Sequence, residues 1–197
     1  MSRNAKTQQQ KTGKIIIIVA PSGSGKSTLL TRLKNDFPEL CESVSYTTRG
    51  KRQGEEHGKH YFFVDEHEFL QMRTRNEFLE WALVHGDYKG TSRKFVQEHL
   101  DRGTPLIFDL DVQGADFFKQ AFPDLAKVIF ISPPSLEELE KRLRNRKTES
   151  EDSIQLRLKN AKEELSRMHD YDYNILNDNI NKAYDDLFRI VSEILEK

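Results

Sequence analysis

The sequence predicts an α/β protein built on a mainly parallel central sheet. Short apolar runs rich in Ile, Val and Phe recur along the chain, and each is followed by a stretch of helical periodicity. The first run, residues 15–20, passes straight into the Gly/Ser cluster "APSGSGKST" and then into a helix-compatible stretch. Between residues 43 and 96 the rhythm breaks into short β-prone pieces.

The elements follow in order. Residues 15–20 show no alternation, which suits a strand covered on both faces, where β-branched side chains pack well. A helix is expected over 26–35. The segments "ESVSY", "HYFFV" and "FLEWALV" read as short strands, with one helix near 66–75 whose start is marked by Asp65 and Glu68. Strand then helix follows over 105–110 and 113–121, and again over 127–132 and 136–146. Ser135 with Glu138 forms a capping-box signature for that last helix. "TESEDSIQLRLKNAKEELSRM" reads as a separate charged amphipathic helix from about Ser150. A final strand over 173–177 and helix over 181–197 close the chain. An insertion at 43–96 would sit above the C-terminal ends of the core strands, where open α/β sheets bind ligands, and so could hold a second substrate.

Composition sets the frame. The chain has 197 residues, 32% charged and 36% hydrophobic, with a formal net charge of -1. One substantial soluble domain fits, and the absence of basic excess argues against general nucleic-acid affinity. The apolar run that ends at Pro21 is too short to span a membrane. The first fourteen residues hold four basic and no acidic side chains and lack the apolar segment of a signal peptide. They read as a flexible basic tail over 1–12, with a tag remnant or a weak interaction arm as alternatives. Cys41 stands alone, so neither a disulfide framework nor a zinc cluster can be built within the chain, and a reducing cytoplasm fits.

Strand, glycine loop and helix together make a phosphate-binding loop of Ala20, Pro21, Ser22, Gly23, Ser24, Gly25, Lys26, Ser27 and Thr28. Loop amides and the positive helix end converge on one spot that suits an anion. Lys26 can reach the outer phosphates, and the Ser27 hydroxyl can hold Mg²⁺. Ala20 replaces the first glycine of G-x-x-x-x-G-K-[ST], at a site where a small side chain suffices. Further on, Arg49 and Arg52 flank a turn near the hydroxyls of Ser45, Thr47, Thr48 and Tyr61. Alone, the two arginines read as a solvated basic turn. With a phosphate loop upstream they read as a clamp for an acceptor phosphate.

Eight motifs in order, "APSGSGKST", "SVSYTTR", "GEEHGKHYFFV", "NEFLEWA", "GDYKGTS", "FDLDVQGA", "FISPPSLEELEKRLRNR" and "YDYNILND", resemble the guanylate kinase family over residues 13–197. The resemblance implies a P-loop three-layer sandwich, with a mixed α/β NMP-binding insertion at about 43–96 and a helical lid at about 140–160. It implies transfer of the γ-phosphoryl group of ATP to GMP, and to dGMP, with Mg²⁺. Ser45, Arg49, Arg52 and Tyr61 would hold the GMP phosphate. Glu80, Thr91 and Asp111 would read guanine, with Asp109 near the metal. Arg146, Arg157 and Arg142 would be the lid arginines.

The chemistry agrees, because guanine offers two donors on one edge that a carboxylate accepts and adenine lacks that pair. Lys89 departs from the family pattern Y-Y-G, and an ionic contact from its ammonium to the acceptor phosphate is expected in place of a tyrosine hydroxyl. A non-catalytic protein-binding scaffold of the same fold and a P-loop kinase for another small substrate are the alternatives. No nucleic-acid or membrane partner is expected.

Overall fold

A computed structural model describes residues 13–52, 54–84, 86–145 and 150–196. β1 (Ile15–Val19) leads into α1 (Lys26–Asp36), and β2 (Cys41–Glu42) follows. A second group comprises β3 (Tyr46–Thr47), β4 (Phe62–Phe63), α2 (Glu66–Thr74), β5 (Phe78–Val84) and β6 (Asp87–Ser92). The chain returns through α3 (Arg93–Asp101), β7 (Leu106–Asp109), α4 (Val112–Ala121) and β8 (Ala126–Ser132). It ends with α5 (Leu136–Asn145), α6 (Glu151–Ser166), a 3₁₀ turn (Met168–Asp170), β9 (Tyr173–Leu176) and α7 (Ile180–Glu196).

The core sheet has the order β2-β7-β1-β8-β9, and every neighbouring pair is parallel. β1 lies at its centre and its five residues are buried. Ile16 and Ile18 face a cluster with Leu29, Leu33, Leu187 and Val191 of α1 and α7. Ile15, Ile17 and Val19 face the opposite cluster, with Val96, Leu100 and Phe118 of α3 and α4. Helices on both faces complete three layers, which is why the strand sequence is apolar throughout and does not alternate.

The second sheet has the order β4-β3-β6-β5, with β6 antiparallel to both its neighbours. Its own small core is Phe69, Met72 and Phe78, with Tyr46, Val64 and Tyr88 packed against them. Asp65 caps α2 by accepting from the Glu68 amide at 2.7 Å, as its spacing predicts. Gly90 is required by a close approach, because a Cβ there would lie 2.9 Å from Cδ1 of Phe78.

Two local expectations need correction, and one strand was not foreseen. "ESVSY" is not one strand: β2 joins the core sheet and β3 the second sheet. "DYKGTS" forms β6 despite its polar residues and glycine, because pairing to strands on both sides overrides its weak propensity. Residues 93–96 open α3, capped by Ser92, whose hydroxyl accepts from the Phe95 amide at 3.3 Å, and Val96 belongs to the main core. Residues 1–12 and 146–149, and with them the expected tail and Arg146, lie outside the described residues.

Candidate active site

β1 ends at the loop 20–25, and α1 begins at Lys26. Gly23 and Gly25 have φ of 98° and 90°, a left-handed backbone that favours glycine. The loop is braced from below, since the Asn177 side-chain amide, just past the end of β9, donates to the Ser24 carbonyl at 2.6 Å. The Arg157 guanidinium on α6 donates to the Ser22 hydroxyl, so one expected lid arginine reaches the loop itself. Arg142 on α5 bonds Glu138 at 3.2 Å and donates to the Asn177 carbonyl at 3.2 Å, behind the loop.

In front of the loop opens a cleft of about 1050 Å³ between the two sheets. Ala20, Pro21, Ser22, Gly23, Gly25, Lys26, Ser27 and Thr28 line it on one side; Ser45, Arg52, Tyr61, Glu80 and Lys89 line it on the other. Asp109, at the end of β7, and Asp111, at the N-cap of α4, also line it. Lys26 and Asp109 form an ion pair across the loop mouth. Ser24, within the loop, is fully buried and does not line the cleft.

Glu80 on β5 pairs with Thr91 on β6 in strand register, and the Thr91 hydroxyl donates to the Glu80 carboxylate at 2.6 Å. Burial pushes the Glu80 carboxyl up, Thr91 opposes this, and the Asp111 charge adds to it. Thr91 itself is buried, so its hydroxyl here orients Glu80. Asp111 caps α4, with one oxygen accepting from the Gly114 amide at 2.9 Å. A carboxylate has further lone pairs for a ligand.

The expected phosphate clamp is divided. Arg52 lines the cleft, whereas Arg49 is set back against the rings of Tyr61 and Phe63, 5.4 and 5.7 Å from their centres. Glu55 holds it there, 2.7 Å from the Arg49 guanidinium, and also accepts from the Arg52 amide at 2.8 Å. The Thr47 and Thr48 hydroxyls, expected beside the clamp, instead join β3 to β6. Thr47 donates to the Tyr88 carbonyl at 3.0 Å, and Thr48 accepts from the Tyr88 amide at 2.8 Å. The Lys89 ammonium stands 5.7 Å from the Tyr61 ring centre, inside the cleft.

Sequence reasoning missed Glu55, Asn177 and Glu164. Glu164 lies on α6 and lines the cleft. Burial pushes its carboxyl up to about 7, the Lys26 charge holds it down, and the Asp111 charge pushes it further up. Nothing in a charged amphipathic helix singles it out. Asn177 carried a readable signal, a polar amide directly after an apolar strand at the ligand end of the sheet.

A glycine loop at the end of a central parallel strand, facing a second sheet that presents cations and a half-buried carboxylate to one cleft, defines a P-loop kinase of the nucleoside monophosphate class. The guanylate kinase family profile matches residues 12–194. A guanylate kinase from Oleidesulfovibrio alaskensis is 47% identical over 177 residues, covering 90% of this chain and 85% of that protein. One from Aromatoleum aromaticum is 48% identical over 179 residues, covering 91% and 87%. The crystal structure of guanylate kinase from Anaplasma phagocytophilum matches with a TM-score of 0.75 at 34% identity, over 95% of this chain and 88% of that one. The chain belongs to the guanylate kinase family.

Proposed function

We infer that the protein is an ATP:GMP phosphotransferase, giving ADP and GDP. The observation that carries this reading is the Glu80–Thr91 pair, which puts a half-buried carboxylate in the same cleft as the phosphate loop and Lys26. Guanine N1–H and its 2-amino group would replace the solvent that Glu80 lacks, and adenine would leave the carboxylate unpaired.

Phosphoryl transfer asks little covalent chemistry of the protein, because the acceptor is already an ionised phosphate. An oxygen of GMP phosphate attacks the ATP γ-phosphorus, the bond to the bridging oxygen breaks, and ADP leaves with that electron pair. Lys26 and the loop amides neutralise donor charge, with Arg157 beside them at Ser22. Ser45, Arg52, Tyr61 and Lys89 hold the acceptor phosphate, with Arg49 swinging in from Glu55. Arg146 completes the lid in this proposal.

Ser27 and Asp109 both line the cleft, and hydroxyl and carboxylate oxygens suit Mg²⁺. Among the described residues no group of three or more His, Cys, Asp and Glu side chains could hold a metal, so phosphate oxygens and water would complete its coordination. Mg²⁺, when bound, would supply positive charge to the donor phosphates. Among the described residues no helix is long and apolar enough to cross a membrane. Cys41 is a free thiol, which suits the reducing cytoplasm we infer. The scaffold alternative has less support, since the Lys26 and Ser27 pair that donor chemistry requires is intact.

Replacing Glu80 tests the assignment. Glu80→Gln should lower kcat/KM for GMP by about 2–4 kcal/mol, because the amide presents donors to donors. KM for ATP should stay near that of the native protein. Equal losses for both substrates would make Glu80 a structural residue.

A further inference from the structure

Two buried hydroxyls among the described residues have no hydrogen-bond partner, those of Ser24 and Ser43. Ser24 is buried within the phosphate loop, whereas Ser43 lines the cleft. The Ser43 amide donates to the Ile107 carbonyl at 3.2 Å, one step beyond the Glu42–Ile107 pair of the β2–β7 ladder. Ser43 therefore sits beside Phe108, which with Leu79, Leu110 and Phe117 is among the apolar residues of the cleft lining. A hydroxyl in such surroundings is costly to leave unpaired, and native proteins keep one where a partner arrives.

We propose that the partner is the nucleoside part of the acceptor, so that Ser43 is a binding residue additional to Glu80, Thr91 and Asp111. This rests on reading the cleft as the GMP site. Ser45, two residues on and therefore within about 7 Å, is assigned to the acceptor phosphate. The phosphate already has Arg52, Lys89 and Tyr61 around it. Ser43 has instead the apolar wall, which suits a ribose and base and not an anion. The hydroxyl thus finds its hydrogen bond only when the acceptor is bound, and the free protein carries the cost of leaving it unpaired.

Ser43→Ala tests this through four readings on the full chain: KM for GMP, KM for ATP, inhibition by guanosine, and the melting temperature without ligand. KM for GMP should rise about tenfold, which corresponds to 1.4 kcal/mol. The guanosine inhibition constant should rise by the same factor, and KM for ATP should not move. The ligand-free variant should melt at or above the native temperature, because an unsatisfied polar group has been removed. Unchanged GMP and guanosine values would mean that buried water satisfies the hydroxyl, and would overturn the proposal. A rise for GMP without one for guanosine would assign Ser43 to the phosphate and overturn it too. A lower melting temperature with both substrates weakened, or a failure to fold, would make the residue structural. The native protein is assayed in parallel. If it does not phosphorylate GMP, the underlying reading fails; if it does and Ser43→Ala matches it, only the Ser43 contact fails.

Discussion

Lys89 stands where the family pattern has a tyrosine, in the cleft that we propose holds the acceptor, and its ammonium lies over Tyr61 there. A mobile point charge can hold phosphate, but unlike a hydroxyl contact its strength falls with ionic strength. Lys89→Met should raise KM for GMP roughly tenfold at low salt, about 1.4 kcal/mol, and by less at high salt, with KM for ATP unchanged. An unchanged GMP KM at low salt would show that the ammonium does not touch the acceptor. Glu164 supplies a different kind of test. Its folded-state value of about 7 lies above the ordinary 4.5 because burial disfavours the charged form. The associated stability is full below the ordinary value and is lost as pH rises through the folded one. Glu164→Gln, uncharged throughout, should therefore melt increasingly above the native protein as pH rises from about 5 to about 8. A melting difference that does not change with pH would contradict the assignment.

At the scale of elements, the phosphate loop depends on a contact from the far edge of the sheet. A Cβ on Gly25 would lie 2.4 Å from the Asn177 side-chain nitrogen, which itself braces the Ser24 carbonyl. Gly25→Ala should cost about 1–3 kcal/mol of stability from strained backbone alone and raise KM for ATP, as read by thermal melting and initial rates. Gly54→Ala is the control, with φ also positive but open space around it, so only its stability should fall. The central strands were legible in the sequence because a run such as Ile15–Val19 is apolar on both faces for one reason, helices above and below. β6 was not legible, because its residues are polar and its partners, β3 and β5, come from segments whose pairing no local pattern reveals. The loop, Glu80 and Arg52 could be named from short motifs. Glu55 and Glu164 could not, because each matters through neighbours that only folding brings beside it, while Asn177 was marked only by its place after β9.

At the scale of the molecule, two sheets face one cleft. The parallel core presents the phosphate loop, and the smaller sheet presents Glu80, Lys89 and the arginine turn. Each sheet has a hydrophobic cluster of its own and the two meet where Leu79 of β5 packs against the main core, so we propose that the acceptor side closes on the donor side about that contact. Such closure would exclude the water that could otherwise hydrolyse ATP. The most direct measurement is ADP release from ATP with GMP, AMP, CMP or UMP as acceptor. A half-buried carboxylate that requires two donors predicts that kcat/KM for GMP exceeds that for each of the others by roughly 10⁴-fold. A comparable value with AMP, or ADP release no faster with GMP than without any acceptor, would contradict the account.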